Sequence, residues 1–226
     1  MFVPSHFRPE EPGWVVELVR AFPMAILVSS VRGRTFATHL PTVLEFDASD
    51  NGDAPAGGLV GTTIFGHMNR RNPHYAALAE ATEGLLIFNG PNGYVSPAVY
   101  DMTPAAPTWN FAVAHVRGAL TPLRHDDETR RVVRSTAMIF ERRFGKGWDM
   151  ASSLGYFDQL LPGVGAFRMT VTEADGLFKL SQDQPAGLRG RVTDAFGSDD
   201  RGAHRQLAEL MRRHAPSATG ACPVTR

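Results

Sequence analysis

The sequence predicts a mainly β (α+β) fold, an antiparallel barrel of about six strands with helices packed outside it. Two observations carry that expectation. Six or seven short runs, rich in apolar and β-branched residues, are joined by tight turn signals. Strand–helix–strand units, which a parallel sheet needs, are few.

Taken in order, Phe2 to Pro9 is proline-punctuated and extended. Trp14, Val15, Leu18, Val19 and Phe22 recur at helical spacing, so a short amphipathic helix runs from Glu11 to Phe22, where Pro23 ends it. Met24 to Val31 reads as a buried strand and Arg32-Gly33-Arg34 as a turn. Thr35 to Phe46 is a second strand, interrupted at His39-Leu40-Pro41 because proline there implies an edge or a bulge. Asp47 to Gly58 is a flexible Asp/Gly/Ala/Pro loop, and Leu59 to Phe65 a buried strand. Asn72 caps a helix Pro73–Ala81. Strands Gly84–Asn89 and Tyr94–Ser96 are joined as a hairpin by Gly90-Pro91-Asn92-Gly93. After a proline-rich loop, Trp109 to Leu123 alternates as a long strand. Asp126 to Phe144 is the clearest helix, with Asp126 or Asp127 as its cap and Val132, Val133, Met138, Ile139 and Phe140 along one side. A helix Ser152–Leu161, strands Gly165–Thr172 and Leu177–Leu180, and helices Pro185–Phe196 and Arg201–Arg213 complete the chain, with a disordered last dozen residues. A cofactor-binding domain over 1–196 and a C-terminal helix with tail over 197–226 follow from this order.

A chain of 226 residues with 43% hydrophobic and 20% charged residues buries a proper core. Lys+Arg and Asp+Glu are equal at 23, so no net charge favours nucleic acid as a partner. The single cysteine, Cys222, excludes a disulfide framework and any cysteine-based metal cluster. With neither a signal segment nor an apolar run long enough for a bilayer, a cytoplasmic location is expected.

The densest chemistry lies at Gly66-His67-Met68-Asn69-Arg70-Arg71-Asn72-Pro73-His74. His67 sits where a strand gives way to a polar turn, a rigid mount for a metal or cofactor ligand. Arg70 and Arg71 carry planar forks suited to carboxylates or phosphates. A backbone-bonded histidine beside solvated arginines explains the same stretch. His39 lies at a strand irregularity, Tyr94 follows a glycine-rich turn, and Thr108-Trp109-Asn110 offers a hydroxyl, a ring and an amide. Lys179 sits between two apolar residues and faces away from them. Core packing accounts for each of these singly. No GxGxxG, GxxxxGK[ST], HExxH or GxSxG is present, and His67 and His74 are too far apart in sequence for an adjacent-turn zinc pair. Any enzyme here leaves the hard chemistry to a cofactor.

Together, Thr38-His39-Leu40-Pro41, Gly66-His67-Met68, Asn72-Pro73-His74, Gly90-Pro91, Tyr94-Val95-Ser96-Pro97, Pro107-Thr108-Trp109-Asn110 and Phe178-Lys179-Leu180-Ser181-Gln182 resemble the PaiB-like family. That family has an FMN-binding split-barrel fold and is often described as transcriptional regulators. The resemblance spans roughly residues 1–195 and implies a six-stranded split barrel, a homodimer and a planar cofactor near the subunit interface.

Within that family, Met1-Phe2-Val3-Pro4, Gly66 to Leu78, Ser96 to Tyr100, Arg143-Phe144-Gly145-Lys146-Gly147-Trp148-Asp149 and Leu161 to Arg168 with Ala174-Asp175-Gly176 look like the piperazate synthases. These are haem-dependent enzymes that convert N5-hydroxy-L-ornithine to L-piperazic acid by forming an N–N bond. The resemblance implies haem b rather than FMN, with His67 as axial metal ligand and His39 as the second choice. It also implies Arg70 or Arg71 at the substrate carboxylate or a haem propionate. Tyr94 and Trp109 then stand by the cofactor, and Thr108, Asn110 and Lys179 take catalytic roles at the leaving oxygen. An FMN-binding regulator or flavin reductase, and a cofactor-free scaffold, are the competing readings.

Overall fold

The computed structural model describes residues 1–48 and 56–215. Most of the expected Asp47–Gly58 loop and of the C-terminal tail lies outside the described residues. The chain divides into two compact units. One comprises Met1–Glu10, Asn89–Val113 and the stretch from Gly176 onward; the other comprises Glu11–Phe88 and Ala114–Asp175.

Most of the barrel's residues belong to the second of these. Six antiparallel strands close a ring of hydrogen bonds in the order β1-β2-β3-β6-β5-β4. They are β1 (Met24–Val31), β2 (Arg34–Leu44), β3 (Thr63–Asn69), β4 (Glu83–Val95), β5 (Thr108–Pro122) and β6 (Val164–Lys179). Ala25, Leu27, Leu40, Ile64, Leu86, Phe167 and Met169 are buried and alternate with more exposed neighbours, the period-two pattern of a sheet with a packed interior. The expected antiparallel barrel is the observed one.

Four strand boundaries differ from expectation. β2 runs unbroken through Pro41. That residue ends the pairing with β1, opposite Met24, and pairing with β3 begins one residue later at Thr42. The missing N–H therefore falls where the strand changes partners, and no bulge is needed. β3 begins at Thr63 rather than Leu59, because Gly61 has φ +83° and Thr62 donates backbone and hydroxyl bonds back to the Leu59 carbonyl. The expected hairpin at Gly90–Gly93 is continuous strand. Gly93 serves close approach rather than turning: a Cβ there would lie 2.5 Å from the Phe196 ring. β6 is likewise one strand through the polar residues 173–176, where Glu173 pairs with Arg117 at 3.8 Å.

The helices are α1 (Gly13–Ala21), α2 (Pro73–Ala77), α3 (Asp126–Phe144), α4 (Leu154–Leu160), α5 (Ala186–Gly197) and α6 (Gly202–Arg213). α2 is shorter than expected, and short 3-10 turns flank α4. His125, not an aspartate, occupies the α3 N-cap without a side-chain bond, while Asp126, Asp127 and Glu128 favour the helix through its dipole. Val132 of α3 packs with Leu123, Ala166 and Phe65 on the outer face of the barrel.

One buried carboxylate ties three segments of this unit together. Asp47 is 2% exposed and accepts from Arg20 at 2.8 Å and from Arg143 at 2.9 Å, while Arg142 donates to its carbonyl. α1 and the end of α3 are thereby fixed to the turn after β2. Removing the charge leaves two guanidiniums facing each other without their counter-ion. Asp47→Asn should lower unfolding free energy by about 1–3 kcal/mol, discounted because both arginines reach solvent, and be read as a lower urea midpoint at unchanged slope.

Candidate functional site

Alternation along β3 decides where its histidine goes. Ile64, Gly66 and Met68 are buried on the interior face. Gly66 is glycine because a Cβ would lie 2.6 Å from Phe167 and 3.0 Å from Leu40. Phe65 and His67 face outward, and β6 places Arg168 opposite Phe65 and Ala166 opposite His67. His67 is largely enclosed, and desolvation lowers its pKa from 6.5, so the ring is neutral. Its Nδ1 is buried and has no hydrogen-bond partner among the described residues. A buried orphan nitrogen on a rigid strand is costly unless a bound group satisfies it. A neutral imidazole is also the form that ligates a metal.

The turn after β3 uses its residues differently from one another. Arg70 donates to the Val164 carbonyl at 3.0 Å and lies 3.6 Å from Asp126, so its guanidinium fastens β3 to β6 and α3. Arg71 is exposed, and its guanidinium makes no ion pair among the described residues. Asn72 caps α2 by accepting from the His74 N–H, as the sequence predicts. His39 is exposed on β2, opposite Ile26 of β1.

His74 is the residue whose role the sequence does not reveal. It is 1% exposed, with Nε2 2.9 Å from Ser29 Oγ and Nδ1 2.9 Å from Thr38 Oγ1, and it stacks on Phe36 at 5.4 Å. Asn72 donates to the same Thr38 hydroxyl. α2 thus closes onto β1 and β2 through a satisfied neutral imidazole. Only the Asn72-Pro73-His74 cap hints at it.

In the other unit, the structure brings Thr108, Asn110 and Lys179 to one cavity of about 540 Å³. Lys179 donates a short hydrogen bond to Thr108 Oγ1, and its ammonium lies 5.7 Å from the Phe7 ring. Asn110 is fully buried and exchanges hydrogen bonds with Ser181, 2.8 Å from its amide and 3.2 Å to its carbonyl oxygen. Ser181 holds φ +60°, a left-handed conformation that a serine adopts only where its surroundings compel it. Gln182 accepts from the Leu180 N–H within the same turn. Tyr100 and Asp183, which the sequence does not single out, also line the cavity. Burial first, and then the Asp183 charge, raise the Tyr100 pKa and keep the phenol neutral. Tyr94 and Trp109 are both about half exposed and meet edge-on at 5.8 Å.

A family model described as "Putative FMN-binding domain" matches residues 1–173. The chain belongs to this FMN-binding family. Among its curated relatives is the protease synthase and sporulation protein PAI 2 of Bacillus subtilis, 24% identical over 93% of this chain and 96% of its own length. An uncharacterized protein of Emericella nidulans is 26% identical over 87% of this chain and 90% of its own. Solved structures share the split-barrel fold. A conserved hypothetical protein of Mycobacterium tuberculosis matches with TM-score 0.54, 11% identity, and 82% and 94% of the two chains. The FAD and heme binding protein of Mycobacterium smegmatis matches with TM-score 0.51, 14% identity, and 76% and 73% coverage. No helix among the described residues is long and apolar enough to cross a membrane.

Two partly or wholly desolvated histidines set a pH dependence. His67 and His74 both have pKa values lowered by burial, so the unfolded chain binds protons below its ordinary histidine pKa that the native state refuses. Native stability is therefore highest above the unfolded value of 6.5 and falls as pH drops below it. His74→Gln should be less stable near neutrality by about 1–2 kcal/mol, having lost two hydroxyl contacts, yet lose less on going from about pH 7.5 to about pH 5 than the natural chain. Urea unfolding at the two pH values measures both effects.

Proposed function

We propose that this protein is a haem-dependent cyclase that converts N5-hydroxy-L-ornithine to L-piperazic acid with loss of water. The observation that carries the proposal is the neutral His67 imidazole with a buried, unpartnered Nδ1 on the outer face of β3. That nitrogen fits an iron ligand: the ring is neutral, Nδ1 has no hydrogen-bond partner among the described residues, and the strand fixes its direction. The sequence resemblance to piperazate synthases, and a protein of the same fold named for binding heme, support the choice.

The reaction is redox-neutral. The α-nitrogen forms a bond to the hydroxylamine nitrogen, the N–O bond breaks, the α-amine gives up a proton and the oxygen departs as water. Bound haem supplies Lewis-acid polarisation of the N–O bond. The chain's residues supply the rest. Lys179 donates to the Thr108 hydroxyl, which leaves the hydroxyl's own proton to be passed to a departing oxygen. Asn110, held by Ser181, offers a fixed amide to the same group. Arg71, whose guanidinium makes no ion pair among the described residues, is the better candidate than Arg70 for a haem propionate. Tyr94 and Trp109 offer aromatic surface to a planar group, and His39 is the alternative ligand. A cytoplasmic homodimer is the proposed working form.

FMN is the second reading, favoured by the description of the family to which the chain belongs. Visible absorption of the protein purified with its cofactor separates the two: a Soret band is expected, and a flavin spectrum would replace the cyclase proposal. His67→Ala should abolish the Soret band; if it persists unshifted, the ligand is His39. Incubation of haem-loaded protein with N5-hydroxy-L-ornithine should yield piperazic acid by mass spectrometry, and Thr108→Val should slow turnover about 100-fold or more.

A further inference from the structure

The cavity bearing Thr108 and Asn110 is lined by one cation and one anion that do not neutralise each other. Lys179 forms no ion pair among the described residues; its ammonium meets only the Thr108 hydroxyl and the face of Phe7. Asp183, which also lines the cavity, accepts from the Gln184 amide at 3.2 Å, and its charge helps raise the pKa of the Tyr100 phenol. Surface charges of this chain commonly pair, as Arg130 does with Asp127 and Asp158. The cavity floor is also built for polar recognition: Asn110 and Ser181 are buried, mutually bonded and held by a strained serine. At about 540 Å³ the space exceeds what a single amino acid occupies.

We propose that this cavity is a seat for a dipolar α-amino acid, whose carboxylate meets Lys179 and whose α-ammonium meets Asp183. Asp183 is then a specificity residue that selects substrates bearing an amine beside the carboxylate. The proposal rests on the amino-acid part of the function above and not on the identity of the cofactor. Opposite charges held apart in a cavity favour a ligand with the complementary dipole over one that matches only one of them.

Asp183→Asn tests this cleanly, since the side chain is exposed, keeps its shape and makes one weak amide contact in the fold. Calorimetric titration of the full chain uses L-ornithine as probe, with pentanoate for the carboxylate alone and putrescine for the amines alone. The natural chain should bind ornithine at least tenfold more tightly than either single-ended probe. Asp183→Asn should weaken ornithine on the order of tenfold while binding pentanoate as well as or better than the natural chain. Lys179→Met should lose both. Unchanged ornithine affinity in Asp183→Asn, or equal loss of ornithine and pentanoate, would overturn the assignment of the ammonium to Asp183. Failure of the natural chain to prefer ornithine would overturn the seat itself. A flavin spectrum would sink the cyclase and leave these affinities standing, whereas turnover with an unchanged KM in Asp183→Asn would sink this proposal alone.

Discussion

The constraint on which the candidate cofactor end depends is the two-residue period of β3, locked on both sides. Thr42↔Gly66 on β2 and Gly66↔Phe167 on β6 fix the register. A slip of one residue would drive His67 into the barrel and Ile64 out of it. Gly66 makes the lock tighter, because the Phe167 ring and Leu40 fill the space its side chain would take. The interior is thus packed by omission at one position, and the next residue is thrown outward at a fixed angle. The histidine's environment follows from the same arithmetic: its outward row already holds Phe65 under α3, so the ring is desolvated without being given a partner.

His67 and His74 show how differently one residue type is used. His74 has both nitrogens within hydrogen-bond distance of hydroxyls, and an aromatic face beside it. Its burial is fully compensated, and it works as a fastener between α2 and the first two strands. His67 is only partly buried, with a comparable chemical effect, a lowered pKa, and keeps an orphan nitrogen. Sequence position alone does not distinguish them, since both lie in one run of ten residues.

Much of the architecture was legible because it rests on local chemistry. β1 and α3 begin and end where alternation and helical spacing put them, and the Asn72 cap forms as its side chain dictates. Three of the four differing strand boundaries share one cause. Pro41, the Gly90–Gly93 run and residues 173–176 carry turn composition, but each lies in a continuous strand whose partner makes the exception harmless. At Pro41 the strand changes neighbours, and at Gly93 an aromatic ring from α5 occupies the missing side chain's place. Such partners are far away in sequence, so no local rule can anticipate them. At the site, Thr108, Asn110 and Lys179 were visible as polar punctuation in strands; Asp183 and Tyr100 were not, because an exposed aspartate in a turn has no periodic signature.

The treatment of charge separates scaffold from site. Where a carboxylate is buried for structure, at Asp47, two arginines close on it and a third takes its carbonyl. Arg70 is likewise consumed in joining β3, β6 and α3. Around the cavity of the other unit the rule is suspended: a lysine leans on a hydroxyl and a ring, and an aspartate is left beside a neutral phenol. That they stay apart over a floor of buried, mutually bonded polar groups marks the place as one where stability has been left unclaimed, as happens where a ligand rather than the fold completes the electrostatics.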